Sequence, residues 1–358
     1  MPNETGNTIG LFGEPIGRSA QQMFLDGDVD GLFNYYRQSG YPNYNREDYS
    51  PRAELDKVMT APGDAYFSCG TYTKYQSANG FLFSYFPHWI DVPCGSSASL
   101  LQSWNDDKTL RELIRKVVDF CNKHNEGWSE NRVRQCAKVY CAKQSVSNFN
   151  PVCARLLYDE FAPNGVVYDM SMGWGGRLLG FYASSATTYI GTEPSVKTYV
   201  GLQELNTDLS RASRRRKSVL MFNSGSENFR PEPLANSVDF CFTSPPYFDT
   251  ERYSDEPTQS YKAFPTPEKW MAGFLGGTME SCYKILKTDG ILAVNIADVP
   301  KARFSLSIIE LAEKSGFRYL ETRAYEISSI SNSSAKREPI YFFAKGDAGI
   351  WQPHDTLF

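Results

Sequence analysis

The chain has 358 residues, of which 41% are hydrophobic and 22% are charged, a composition typical of globular proteins and unlike collagen or long disordered tracts. It has no apolar run of 18 residues and its first ten residues are polar, so we expect neither a membrane-spanning helix nor a signal peptide. Its formal net charge of -4 argues against binding polyanions over the whole surface, although a local basic face is compatible with it.

The cysteines and histidines do not form a recognisable metal motif. The chain has 8 Cys and 3 His, and no two cysteines have the Cys-x-x-Cys spacing of a zinc site, so we expect no metal. Scattered cysteines in a chain with no export signal are typical of a reduced compartment. We therefore expect a cytoplasmic protein.

The first part of the chain has little periodicity. Residues 1 to about 105 are rich in Tyr, Asn, Pro and Gly, and we expect an irregular, partly helical region there. Apolar residues at helical spacing then predict helices over 106–122, from Ser129 onward, and over 151–161. Basic residues outnumber acidic ones between positions 108 and 143.

From position 165 the pattern alternates between strands and helices. Strands are predicted at 166–170, 188–191, 219–222, 237–243, 290–296, 318–327 and 339–345. Helices are predicted from the glycine cluster 173–176 through about 183, and at about 195–210, 267–286 and 305–315. Such alternation predicts an α/β fold with a parallel sheet and helices on both faces. The last two strands, joined by a polar loop at 328–338, are expected to form an antiparallel hairpin.

A glycine loop follows the first predicted strand. The segment reads Asp169-Met170-Ser171-Met172-Gly173-Trp174-Gly175-Gly176; it lacks the Gly-Lys-Ser/Thr of a phosphate-binding loop and the third glycine of a dinucleotide fingerprint. The second strand ends at Glu193, whose carboxylate could accept both hydroxyls of a ribose. An acid at the end of each strand suits S-adenosylmethionine (SAM), which has no pyrophosphate.

The most informative segment is Ser244-Pro245-Pro246-Tyr247, directly after a buried strand. Two prolines end the strand and make a rigid turn at the edge where open α/β sheets bind ligands. The Ser244 hydroxyl and the Pro245 carbonyl could accept the N–H bonds of an exocyclic amine and so localise its lone pair, while Tyr247 could stack on the base. A base must leave the duplex to reach such a pocket.

These motifs, over about 148–345, resemble the amino-group DNA methyltransferases, which methylate N4 of cytosine or N6 of adenine with SAM. Asp169 through Gly176 looks like the SAM-binding glycine motif, Glu193 like the ribose-binding acid, and Ser244–Tyr247 like the catalytic motif. Ser226 stands where the family contacts the SAM adenine, and the upstream motif that closes over the methionine end of SAM is resembled by Asn148-Phe149-Asn150-Pro151. Gly-Trp-Gly-Gly-Arg, with Thr-Ser-Pro-Pro-Tyr-Phe and Glu251-x-Tyr253, looks like a phage-associated branch, which implies the cytoplasm of a bacterial or phage-infected cell.

The resemblance implies a Rossmann-like class I methyltransferase fold with a seven-stranded, mostly parallel sheet over 148–358. It implies SAM as cofactor, with cofactor-binding roles for Asp169, Met170, Gly173, Gly175, Glu193, Ser226, Phe149 and Asn150. In this family Ser at the first catalytic position goes mostly with N4 of cytosine. The alternatives are adenine N6, an RNA or protein amide, and a non-catalytic nucleic-acid-binding relative.

Little chain remains for reading a target inside or after the catalytic core. By elimination, recognition of a double-stranded DNA with a flipped base falls on residues 1–147 and on the loops 248–266 and 328–338. The residues predicted to contact DNA are Phe248, Arg252 and Tyr253, which could close over the base, and Lys116, Arg132 and Arg134, which would contact phosphates. The neighbouring Arg337 and Glu338 fit either an ordering role in the substrate loop or a surface ion pair.

Overall fold

The computed structural model describes residues 18–73, 78–94, 97–141, 146, 148–229, 232–299, 302–327 and 336–346. The chain divides into two compact units. Unit 1 comprises residues 1–43 and 97–145, and unit 2 comprises residues 44–96 and 146–358.

The elements of the described residues follow one another in chain order. The helices are α1 (Ala20–Leu25), α2 (Val29–Ser39), α3 (Pro51–Thr60), α4 (Asn79–Phe83), α5 (Leu100–Asn105), α6 (Asp107–His124), α7 (Glu130–Tyr140), α8 (Pro151–Phe161), α9 (Gly176–Ala183), α10 (Val196–Ala212), α11 (Ser260–Ala263), α12 (Pro267–Lys269), α13 (Gly276–Ile285) and α14 (Phe304–Lys314). A π-helical turn, Trp270–Leu275, joins α12 to α13. The strands are β1 (Phe67–Ser68), β2 (Thr71–Tyr72), β3 (Val166–Asp169), β4 (Thr188–Thr192), β5 (Ser218–Phe222), β6 (Val238–Thr243), β7 (Leu286–Asn295), β8 (Phe317–Ile327) and β9 (Lys336–Lys345).

Unit 1 is helical in its described residues. The longest helix, α6, starts where the Asp106 carboxylate accepts the Thr109 N–H and ends at Asn125 in the left-handed conformation. One face of α6 is buried, through Leu110, Leu113, Ile114, Val117 and Cys121. The indole N–H of Trp128 donates to the Tyr36 hydroxyl at 3.0 Å in the same core. The predicted helices at 106–122 and from Ser129 onward are confirmed.

Unit 2 is built on one mixed sheet with the strand order β1-β2-β8-β9-β7-β6-β3-β4-β5. The pairs β5–β4, β4–β3, β3–β6 and β6–β7 are parallel, while β9 is antiparallel to both β7 and β8. From β3 the chain proceeds first to β4 and β5 on one side, and later to β6 and β7 on the other. The carboxyl ends of β3 and β6 therefore form the topological switch point at which such folds bind ligands.

Seven strands, β3 to β9, form the mostly parallel sheet that the family resemblance implies, and the expected fold class is confirmed. The expected strand count is corrected from seven to nine, because β1 and β2 extend the sheet beyond β8. Strand β2 pairs in parallel with β8, with Thr71 opposite Ala324 and Tyr72 opposite Tyr325. Residues 44–96 therefore belong to unit 2, so the compact units differ from the predicted boundary between 147 and 148.

A buried arginine fastens the added strands to the sheet. Arg323 on β8 is 1% exposed, and its guanidinium bonds the Tyr72 hydroxyl at 2.8 Å, Glu160 at 2.7 Å and Glu321 at 2.6 Å. Since Glu321 is itself buried, removing the guanidinium would leave a carboxylate in the interior without its countercharge.

We predict that Arg323→Ala lowers the free energy of unfolding by about 3–5 kcal/mol, the range for breaking a buried ion pair. The measurement is urea denaturation of the full chain. The control is Arg318→Ala on the same strand, because Arg318 is exposed and its loss should change stability by less than about 0.5 kcal/mol. Equal stability of the two variants would contradict this account of the Arg323 cluster.

In the part of the chain that the structure describes, every helix is too short or too polar to cross a bilayer.

Candidate active site

A glycine loop connects β3 to α9 at the switch point. Gly173 and Gly175 have φ of +54° and +76°, in the left-handed region that favours glycine. A Cβ on Gly175 would lie 2.4 Å from a Leu205 methyl carbon, and one on Gly176 would lie 2.2 Å from the Phe149 carbonyl oxygen. For a Cβ on Gly173, the nearest atom would be the Ser171 carbonyl oxygen, at 3.8 Å. Open space therefore lies beside the loop at this position.

The carboxylate of Asp169, at the end of β3, fixes the first turn of this loop. It accepts hydrogen bonds from Arg177 Nε at 2.8 Å, from the Tyr189 hydroxyl at 2.5 Å and from the Ser171 N–H at 3.2 Å. Asp169 is fully buried and Arg177 is 5% exposed. The Arg177 guanidinium also donates to the Ser171 carbonyl. Asp169 thus orders the loop, and its predicted contact with a ligand stays a prediction.

Asn148 clamps the other end of the loop. Its amide nitrogen donates to the Trp174 carbonyl at 2.9 Å, and its amide oxygen accepts the Gly176 N–H at 3.1 Å. One side chain therefore binds both sides of the turn into α9. The sequence places Asn148 in the upstream motif but does not predict this clamp, because the two partners lie 26 and 28 residues further along the chain.

The remaining predicted residues of the upstream and glycine motifs are buried around this clamp. The Phe149 ring stacks on Tyr325 with 4.6 Å between centroids, and Asn150 caps α8 by accepting the N–H groups of its first turn. Met170 is 2% exposed, and its carbonyl accepts the Thr192 hydroxyl. These contacts fix the three residues in the interior of the protein. Direct binding of a cofactor by Phe149, Asn150 and Met170 stays a prediction.

Glu193 lies just after β4, at the same edge of the sheet. Its two carboxylate oxygens accept the N–H groups of Gly173 at 3.1 Å and of Ser195 at 3.0 Å. Burial raises the pKa of Glu193 to about 7, although these two hydrogen bonds act in the opposite direction. Each oxygen keeps a lone pair, so the carboxylate can accept two hydroxyl groups.

Ser226 follows β5 and is 1% exposed. Its hydroxyl shares a 2.7 Å hydrogen bond with the hydroxyl of Thr278 on α13. The side chain is therefore committed to packing the 226 turn against α13, and its predicted contact with the SAM adenine stays a prediction.

The tetrapeptide that begins at Ser244 lies beside the glycine loop. Strand β6 pairs in parallel with β3, with Cys241 opposite Tyr168, so both strands end at the same edge. Pro245 and Pro246 follow at once and terminate the ladder, because proline has no N–H to donate. The turn begins at Ser244, directly after a buried strand that ends at Thr243, as the sequence predicts.

Tyr247 is held by its hydroxyl, which donates to Glu338 Oε2 at 2.9 Å and to the Asn295 carbonyl at 3.3 Å. Burial and the nearby charge of Glu338 raise the pKa of Tyr247 well above its usual value. Tyr247 is therefore a neutral phenol whose ring is fixed next to Ser244.

Glu338 is a site residue whose role the sequence left open. Its neighbour Arg337 pairs across the hairpin with Glu326 at 3.2 Å, which is the surface ion pair considered above. Glu338 instead is 9% exposed and faces Tyr247. The alternation of side chains along β9 separates the two roles.

The loop after Tyr247 packs over the site through Glu251 and Tyr253. The Tyr253 hydroxyl donates to Glu251, and the Tyr253 ring meets the Trp174 ring edge-on at 5.7 Å. Burial, together with the charge of Glu338, raises the pKa of Glu251 to about 8. Glu251, which is half-buried, and the buried Glu338 thus lie near the Ser244 turn.

The same loop reaches the cofactor side as well. Glu256 Oε1 accepts the N–H of Val196 at 3.0 Å and so caps α10 just beyond Glu193. Phe248 has φ of +55° and is 5% exposed, with its ring edge-on to Trp270. Phe248 is thus an anchor of the loop, and its predicted contact with DNA stays a prediction.

The other predicted DNA contacts differ in how open they are. Arg252 is exposed and lies 3.8 Å from Asp249. In unit 1, Lys116 is exposed above the Tyr140 ring. Arg132 pairs with Glu126, and Arg134 donates to main-chain carbonyls at positions 42 and 43. Lys116 and Arg252 are therefore the better candidates for phosphate contact.

The residues at this edge fit SAM. The indole N–H of Trp174 and the Thr243 hydroxyl are buried and have no hydrogen-bond partner among the described residues, so each can serve a polar ligand. Gly173 opens space at the loop, and Glu193 offers acceptors for a ribose. These residues would hold the cofactor between the ends of β3 and β4.

The sequence was compared with known families and structures. A family model described as DNA methylase, covering the N6 and N4 enzymes, matches residues 238–356, which include β6 and the Ser244 turn; it confirms the resemblance to amino-group DNA methyltransferases. No curated protein matches the chain significantly.

Solved structures of methyltransferases are similar to this chain at low sequence identity. A TehB-like SAM-dependent methyltransferase from Corynebacterium glutamicum is 11% identical, with 60% of this chain and 95% of that chain covered and a TM-score of 0.38. The 1,6-didemethyltoxoflavin-N1-methyltransferase of Burkholderia thailandensis is 11% identical, with 54% and 76% covered and a TM-score of 0.37. The fold assignment rests on the strand order given above.

We predict that Glu193→Gln weakens SAM binding about tenfold or more, because hydrogen bonds to a charged acceptor contribute about 1.5–3 kcal/mol. In the wild type, the affinity should rise as the pH rises through about 7, where Glu193 ionises and becomes the stronger acceptor; the variant should lose this dependence. Calorimetric titration with SAM over that range measures both.

The matched control is Glu204→Gln, an exposed carboxylate on α10, which should bind SAM as the wild type does. If Glu193→Gln bound SAM with unchanged affinity and unchanged pH dependence, Glu193 would not be the ribose acceptor.

Proposed function

We propose that this chain transfers the methyl group of SAM to the exocyclic N4 of a cytosine in DNA, and the match of residues 238–356 to the DNA methylase family model supports this. SAM supplies an electrophilic methyl group on a positively charged sulfur. The observation that carries the proposal is the position of Ser244 and Tyr247. They follow β6, which pairs in parallel with β3, so they lie beside the glycine loop that follows β3.

The residues of the turn would orient the amine for attack. Ser244 Oγ and the Pro245 carbonyl accept its two N–H bonds, so that the nitrogen lone pair points away from the ring system. Tyr247, fixed by Glu338 and Asn295, supplies a flat face on which the base stacks. Because this pocket is at a sheet edge, the base would have to be flipped out of a duplex. Most of the catalytic effect would be positioning.

Ser244 supports cytosine as the target base. In the family that the chain resembles, Ser at this position goes mostly with N4 of cytosine and Asp mostly with N6 of adenine. Adenine N6 is the second candidate, since the matched family includes both types of enzyme.

Contacts with the DNA backbone would come from two places. Lys116 in unit 1 and Arg252 in the loop after Tyr247 are both exposed cations, and phosphate contacts position a protein on DNA without reading its sequence. Tyr253, which packs on Trp174, would close over the flipped base. The proposal includes membership of a phage-associated branch, which rests on the sequence of the glycine loop. It also includes a reduced, cytoplasmic setting, which rests on the scattered cysteines.

We predict that Ser244→Ala keeps SAM affinity within about threefold of wild type and lowers methyl transfer to DNA about 100-fold or more, the usual cost of losing one positioned hydrogen bond at a reacting centre. The measurement is transfer of labelled methyl from SAM to plasmid DNA, with calorimetric SAM binding alongside.

Ser237→Ala serves as control, because Ser237 lies just before β6 and bonds only the Leu234 carbonyl through its hydroxyl. It should be as active as the wild type. Normal turnover by Ser244→Ala would remove Ser244 from the mechanism, and labelling of RNA but not of DNA would redirect the proposal to another substrate.

A further inference from the structure

The exposed large hydrophobic side chains of unit 2 gather at one edge of its sheet. In the described residues of this unit they are between 39% and 53% exposed, and they are Val196, Val200, Leu220 and Phe222. Leu220 and Phe222 belong to β5, which ends the strand order of the sheet. Val196 and Val200 are one turn apart on α10, on either side of Tyr199, whose hydroxyl donates to the main-chain carbonyl of β5 at position 221. All of them therefore border one strand.

Strand β5 lacks the features that usually protect the edge of a sheet. Its sequence, Ser-Val-Leu-Met-Phe, contains no charged residue and no proline, and its pairing with β4 runs from Ser218 to Phe222 without a bulge. Natural edge strands are usually blocked by a lysine, a proline, a bulge or a covering segment, because an open edge is a template for another strand. An apolar patch at such an edge indicates an interaction surface.

The main-chain hydrogen bonds of β5 show which of its residues face outward. The Ser218 N–H and the Phe222 carbonyl bond to main-chain groups at the two ends of β4, at 2.9 and 3.1 Å. Since the N–H and C=O groups of successive residues in a strand point to opposite edges, those of Val219 and Met221 point away from the sheet. The Met221 carbonyl accepts the Tyr199 hydroxyl from this side at 3.2 Å and keeps a second lone pair.

We propose that β5 pairs with β5 of a second copy of this chain, antiparallel and about a two-fold axis at Leu220. In this register Val219 of each copy lies opposite Met221 of the other, and the two residues exchange both of their outward main-chain hydrogen bonds. The two Leu220 side chains meet at the axis, and Phe222 of each copy lies opposite Ser218 of the other. The same surface of both copies is used, as a two-fold interface requires.

Charge around β5 favours this antiparallel arrangement of two copies. The residues just before the strand include the exposed cations Arg211, Arg214, Arg215 and Arg216. From position 219 to position 229 the chain has one charged residue, Glu227. Antiparallel pairing places the basic run of each copy toward the end of the other copy's strand, where Glu227 follows. Parallel pairing would set the two basic runs side by side, and like charges directly opposite each other are destabilising.

The first test is sedimentation velocity of the full chain over about a hundredfold range of concentration, because mass action sets the dimer fraction. The wild type should form a dimer whose fraction rises with concentration. Leu220→Lys should raise the dimer Kd about 100-fold or more, because two like charges would be held face to face at the axis. The control is Val139→Lys on α7, a similarly exposed apolar residue of unit 1, which should associate as the wild type does. Thermal unfolding of both variants checks that they are folded.

The second test examines the register by disulfide cross-linking. Directly opposed residues of a non-hydrogen-bonded antiparallel pair have Cα atoms about 4.5 Å apart, which is within reach of a disulfide. Leu220→Cys should therefore form a covalent dimer on mild oxidation. Ser218→Cys, on the same strand and also exposed, is the matched control, because its two copies would be about 13 Å apart along the strands. Oxidising the wild type in parallel shows any bond between native cysteines.

Each outcome supports or contradicts the pairing without reference to methyl transfer. A wild type that is monomeric over the whole range would overturn the proposal and leave the β5 edge to some other occupant. Association that Leu220→Lys leaves unchanged would mean that the copies meet at a different surface. Cross-linking through Ser218→Cys but not through Leu220→Cys would contradict the two-fold register. A concentration-dependent dimer that Leu220→Lys abolishes and Leu220→Cys locks would establish the proposed interface.

Discussion

The buried ion pair between Asp169 and Arg177 is the interaction on which the rest of the site depends. Through this pair, with Tyr189 and the Ser171 backbone as further partners, the glycine loop leaves β3 in one conformation. That conformation brings the Gly173 N–H to Glu193. A charge pair taken out of water is stable only when its remaining bonding capacity is satisfied, and here the loop backbone supplies part of that satisfaction. The same hydrogen bonds therefore offset the free-energy cost of burying the pair and set the conformation of the loop at the ligand site.

The acidic residues of the site differ in the groups that surround them. Asp169 has a guanidinium beside it. Glu193 and Glu251 have none among their described partners; burial raises the pKa of both, to about 7 and about 8. Glu338 receives the hydrogen bond of Tyr247. One edge of the sheet therefore places chemically similar carboxyl groups in different environments, which is how one fold can give such groups different tasks.

The sequence was sufficient where the signal is local. Proline after a buried strand gave the position of the Ser244 turn, and apolar periodicity gave α6 and α8 almost to the residue. It failed where the partner is distant: Glu338 lies 91 residues from Tyr247, and Arg323 binds Tyr72 across 251 residues. Strands β1 and β2 have two residues each, too few to show a period. Phe248 directly follows the Ser244 motif, which suggested contact with the substrate. The packing of its ring against Trp270 is visible only in the structure.

The measurement that tests the account most directly is mass spectrometry of the nucleosides from plasmid DNA incubated with the protein and SAM. The account predicts N4-methylcytosine, because the turn that holds the amine begins with Ser244. N6-methyladenine would keep the geometry of the turn and contradict the assignment of the base. The absence of any methylated nucleoside from DNA, with SAM bound, would contradict the central claim that this sheet edge methylates a nucleobase amine in DNA.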